Sequence, residues 1–129
     1  MSVNWLAVLA AALSSFLLGG VWYSALFAKA WQSAAGLSDE QVKGGNKAMI
    51  FGGSFVLALI ASATFAFFIG KIGWREATLY GLCAGLTWVA ASFGINYLFE
   101  RRPLKLFLIN GGYHTLQFTL IGLILGAWH

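Results

Sequence analysis

The eight basic and four acidic side chains of this 129-residue chain fall into three short clusters, separated by long apolar intervals. The clusters are Lys29, Asp39, Glu40, Lys43 and Lys47; then Lys71, Arg75 and Glu76; then Glu100, Arg101, Arg102 and Lys105. The charge-free intervals are Met1–Ala28, Ala48–Gly70, Ala77–Phe99 and Leu106–His129. Each interval reaches about 20 residues, the length a helix needs to cross roughly 30 Å of hydrocarbon at 1.5 Å per residue. The pattern predicts an all-α integral membrane protein, an antiparallel bundle of four transmembrane helices in a single domain over residues 1–129. The predicted spans are 3–27, 48–70, 77–99 and 104–128, with cytoplasmic loops over 28–47 and 100–103.

Composition excludes more than it assigns. With 60% hydrophobic and 9% charged residues, the chain is far from the quarter or so of charged residues in soluble domains. Four spans leave no length for a soluble catalytic domain. The net charge of +4 sits at helix ends, so it points to anionic lipid headgroups and topology rather than to nucleic acid. Cys83 is the only cysteine and lies within the third span; it reads as a small packing residue, and no Cys/His spacing suggests a metal site. No cofactor is called for. The first span lacks a basic leader and runs into Trp22-Tyr23, which reads as an interfacial aromatic anchor rather than a cleavage site.

Lys29, Lys43, Lys47, Arg101, Arg102 and Lys105 fall on one side of the predicted bundle, and only Lys71 and Arg75 on the other. The positive-inside rule then places both termini outside a bacterial inner membrane. The short second and third loops predict that spans two and three, and three and four, pack as antiparallel neighbours. In the first loop, Ala30–Ala35 reads as an extension of span one stopped by Gly36. Ser38 and Gln41 have capping-box spacing, and Gly44-Gly45 reads as a break. Pro103 suits the first turn of span four.

Small residues recur every fourth position. They are Ala7, Ala11, Ser15 and Gly19; Ser54, Ala58, Ser62, Ala66 and Gly70; Ala77, Gly81 and Gly85; and Gly122 and Gly126. Lipid tails are as apolar as leucine, so close backbone approach along such lines drives helix association. One line left over would serve a second protomer, and a homo-oligomer is expected. Gly52-Gly53-Ser54-Phe55 is weakly matched by Gly111-Gly112-Tyr113-His114, and Leu26-Phe27 by Leu98-Phe99. Two related hairpins about an axis along the membrane normal would explain both matches.

No Asp, Glu, Lys or Arg lies at mid-membrane depth in these spans. That excludes the embedded carboxylate on which small proton-coupled four-helix exporters depend, and equally an acidic-ring cation channel. What remains is neutral. Asn110, His114 and Gln117 share one face of span four, with Tyr113 beside it. Ser92 and Asn96 stand one turn apart on span three, and Asn96 and Asn110 are placed to meet across the hairpin. A protonated imidazole at His114 would be costly there, so the neutral form is expected. Either His114 is a core residue satisfied by a neighbouring helix, or it belongs to a ligand, proton or permeation site. Arg101, Arg102 and Lys105 surround the start of span four, where a lipid phosphate competes with a plain topological role.

Several motifs carry a resemblance. Asn4-Trp5-Leu6-Ala7, Gly20-Val21-Trp22-Tyr23-Ser24, Lys29-Ala30-Trp31 and Gly36-Leu37-Ser38 resemble the first half of the bacterial membrane family known as domain of unknown function 1761. The run Phe99–Asn110, then Gly112-Tyr113-His114 and Gly122–Trp128, resembles its last segment. Ala25 departs from the pattern, where a proline is expected, so the end of span one should be straighter. The resemblance implies fold and membrane location and assigns no activity.

Two functional classes follow. One is binding or permeation of a small neutral or weakly polar solute at Asn110, Tyr113, His114 and Gln117, with Ser92 and Asn96 nearby. The other is a non-transporting structural or accessory membrane protein whose polar residues fix helix packing. An enzyme is not expected, because no nucleophile–base pair, carboxylate pair or metal cluster is visible.

Overall fold

A computed structural model describes residues 3–129, and all of its regular elements are helical. Asn4 opens α1 (Trp5–Gly20), its side-chain oxygen accepting from the Ala7 N–H at 3.2 Å. The rod continues through a π-helical stretch, Val21–Leu26, closed by the Phe27 N–H on the Trp22 carbonyl at 2.9 Å. The chain bends at Phe27 and enters α2 (Ala28–Ala35). Gly36, at φ 73°, stops α2 as a left-handed cap, its N–H bonding Ser33 and that of Leu37 bonding Gln32. Ser38 and Gln41 form the reciprocal capping box of α3 (Asp39–Lys43), and the chain breaks at Gly44-Gly45 as its glycines predict.

Asn46 caps α4 (Lys47–Ile69), which ends at Gly70 with φ 62°. The rod after it begins at Trp74, three residues before the apolar run. Gly73 provides an extended entry and Glu76 suits the positive end of the helix dipole. It comprises α5 (Trp74–Cys83), a second π stretch (Ala84–Ala90) and α6 (Ala91–Glu100). Arg101 then takes a left-handed φ of 59°, with its N–H on Leu98 and that of Arg102 on Tyr97. A non-glycine residue there costs roughly 1 kcal/mol. Pro103 follows as the residue flanking α7 (Leu104–Ala127), one position before the first turn expected for it.

Three rods are long and apolar enough to cross a membrane: Trp5–Leu26, Lys47–Ile69 and Trp74–Glu100. The fourth, α7, has 24 residues but carries Asn110, Tyr113, His114 and Gln117 through its middle, and is not among those three.

Packing corrects the neighbour order. α7 is central, with α5 and the π stretch of its rod on one side and α1 on the other. α4 packs on α1, touches α7 lightly and has no extensive contact with α5 or α6. A four-residue loop fixes where two helices join but does not oblige them to pack. The twofold relation between hairpins fails at the same point. α1 meets α7, whereas α5 has no equivalent contact with α4. The end of span one carries the π stretch and then bends at Phe27, with no proline in it.

The tightest packing follows the small residues. A Cβ added to Gly81 would strike the Phe118 carbonyl, and one on Gly122 the Ala77 carbonyl. On Gly85 it would lie 2.7 Å from the His114 carbonyl oxygen and 2.8 Å from the Thr115 Cα. Ala7, Ala11, Ser15, Ser62, Ala77 and Ile121 are fully buried around this contact. The apolar core therefore occupies the end of the bundle where α1 and α5 start and α4 and α7 finish.

Candidate functional site

At the opposite end, α7 presents Asn110, Tyr113 and His114 between the π stretch of the first rod and α6. The Tyr23 hydroxyl donates to Asn110 Oδ1 at 2.6 Å, and Asn110 Nδ2 donates to the Tyr97 hydroxyl oxygen at 2.7 Å. The Tyr113 hydroxyl donates to the Ser15 carbonyl at 2.9 Å, over Gly19, where any side chain would crowd the Tyr113 ring. Trp22 Nε1–H donates to the Ile109 carbonyl at 2.9 Å. These bonds link elements far apart in sequence, at about 0.6 kcal/mol for a typical interhelical bond.

His114 lies beside this chain of bonds. Its Nδ1 is 2.7 Å from Gln117 Oε1, one turn along the same helix. With Oε1 accepting, Nδ1 carries the proton and the Nε2 lone pair has no partner among the described residues. Phe93 stacks on the imidazole at 4.9 Å and 12°, and Tyr113 meets it edge-on at 4.8 Å. Tyr23 contacts Tyr113 at 5.3 Å, and Phe93 contacts Tyr97 at 5.7 Å. Tyr23, Tyr113, His114, Phe93, Tyr97 and Asn110 thus close a collar drawn from three elements.

Of the residues singled out in the sequence, Asn110, Tyr113, His114 and Gln117 come together, with Gln117 buried and the others half-buried. Ser92 and Asn96 do not join them. Both are exposed, and the Ser92 hydroxyl donates to the Trp88 carbonyl of its own helix at 2.6 Å. Tyr97, not Asn96, reaches Asn110. Neighbouring residues on a helix differ by about 100° in direction. The π stretch over Ala84–Ala90 shifts the register of α6 relative to a regular helix.

Trp22 and Tyr23 turn inward onto α7. Sequence reasoning missed Tyr97 and Phe93 as site residues, although their i, i+4 aromatic spacing marks one helix face. Arg102 is engaged elsewhere, paired with Glu100 at 3.3 Å and donating to the Ala35 carbonyl at 3.4 Å, whereas Lys105 is exposed. Among the described residues no cluster of three metal-ligating side chains is present.

Chemically, the collar offers neutral hydrogen-bonding groups on an aromatic wall. Tyr97 accepts from Asn110, so its own O–H remains to donate. His114 Nε2 remains to accept. Both rings contact Phe93. The chain belongs to the family described as protein of unknown function (DUF1761), whose model matches residues 6–126. No curated protein and no solved structure matches it.

Proposed function

We propose that this chain is a four-span, non-enzymatic protein of a bacterial inner membrane, with both termini outside, that binds a small neutral or weakly polar solute at the collar. The observation that carries this reading is a pair of groups on rings that contact Phe93, the Tyr97 O–H and His114 Nε2, neither with a partner among the described residues. A solute bearing one acceptor and one donor, such as an amide or an alcohol, would satisfy both and lie against the aromatic wall. Binding fits better than permeation through one chain. The opposite end of the bundle brings backbones into contact at Gly81 and Gly122, which closes the seam between α5 and α7 there. Six basic residues against two favour opening the collar towards the cytoplasm.

A second reading has its own support. Asn110, Tyr113 and Trp22 already bond protein partners, as expected of an accessory protein whose polar groups set helix register. A homo-oligomer is compatible with both readings.

Native mass spectrometry of gently extracted protein separates them. The binding reading expects a small non-lipid molecule held by the wild type and lost in both Tyr97→Phe and His114→Leu, with folding retained. A wild-type chain that carries only lipid, or nothing, leaves the packing reading in its place.

A further inference from the structure

A groove of about 430 Å³ runs along the far side of α7, between it and the α5 rod. Its floor is low because Gly111, Gly112, Thr115 and Thr119 supply it. The two threonine hydroxyls donate to the carbonyls of Gly111 and Thr115, each at 2.7 Å, so their bonding capacity is spent inside the helix. Leu82, Leu86, Phe107 and Leu108 supply apolar walls. From Phe107 to Thr119 the groove covers about 18 Å of helix. One leaflet of hydrocarbon is roughly 15 Å deep, half of the ~30 Å core.

The groove begins beside a charge. Lys105 stands three residues before Leu108 and seven before Gly112, on the same helical stripe. It is exposed and in no salt bridge among the described residues, whereas Arg102 is held by Glu100 and Ala35. We propose that this groove docks an anionic phospholipid, one acyl chain on the glycine–threonine floor and the phosphate on Lys105. The length of one leaflet, the apolar floor and the position of Lys105 on the groove's own stripe select a lipid over a second helix. A helix would match the groove without needing the charge.

The test is a titration of the full chain in detergent with phosphatidylglycerol, read by native mass spectrometry, with Lys105→Gln, Thr115→Leu and Lys71→Gln. The expected result is a loss of about fivefold in affinity for Lys105→Gln. Thr115→Leu, which fills the floor, should lose about tenfold, and Lys71→Gln, at the other end of the bundle, should change nothing. Equal losses in the two lysine variants, or none in Lys105→Gln, overturn the proposal. So does a Thr115→Leu chain that keeps its lipid but falls from oligomer to monomer, which would give the groove to a second copy. If Thr115→Leu does not fold, the lysine pair alone decides.

Discussion

The two ends of the bundle are held by different physics. Where α1 and α5 begin, helices meet backbone to backbone. Gly81, Gly122 and Gly126 lie so close to their neighbours that a methyl group has no room. Where α6 ends and α7 begins, side chains keep the helices apart, and Tyr23, Tyr97, Asn110 and Tyr113 bridge them through hydrogen bonds and ring contacts. Dispersion over a line of close contacts tolerates no added volume. Bridges through long side chains tolerate it and yield in small steps. The molecule is thus rigid at one end and held at the other by side-chain contacts that can adjust.

The comparison can be broken at the glycine line first. Gly81→Val should cost about 3 kcal/mol or more, because the Phe118 backbone cannot retreat without parting the helices. Reversible unfolding in mixed micelles measures it. Asn110→Leu should cost only about 1 kcal/mol, two interhelical bonds of about 0.6 kcal/mol each. If the same unfolding assay gave equal losses for both, the distinction between the ends would be wrong. Smallest is Gly52→Ala in α4, where nothing lies within 4 Å of an added Cβ. Relief of glycine's conformational freedom should gain about 0.5 kcal/mol, and a loss there would reveal a partner on that face of α4.

How far the sequence disclosed this depends on the range of the signal. The charge-free intervals located the rods. Gly36, the Ser38/Gln41 box and Gly44-Gly45 located the breaks, because caps and turns act within a few residues. The line Ala77, Gly81, Gly85 and its counterpart Gly122, Gly126 foretold the tightest contact, since only small residues permit it. Partner choice was not legible. A short loop between α4 and α5 is compatible with packing or with leaning apart, and the buried surface offered by α1 decided it. The π stretches were equally hidden. They have no strong residue signature, and depth below the turn could not distinguish Tyr97 from its neighbour Asn96 as the partner of Asn110.

The central position of α7 has a consequence for how the molecule is made. A chain emerges from the ribosome in order, and segments synthesised first tend to fold first. α1 can find α4 early, since the two are consecutive long rods that pack on each other. The α5 rod has no such early partner, and the inward-turned Trp22 and Tyr23 of the first rod have theirs on α7. Both must wait in the membrane for a helix that follows all of them in the chain. The half-built intermediate is therefore a paired hairpin and a solitary rod, with its tyrosines unbonded. Assembly in this order would finish in one late step, when α7 enters between its partners.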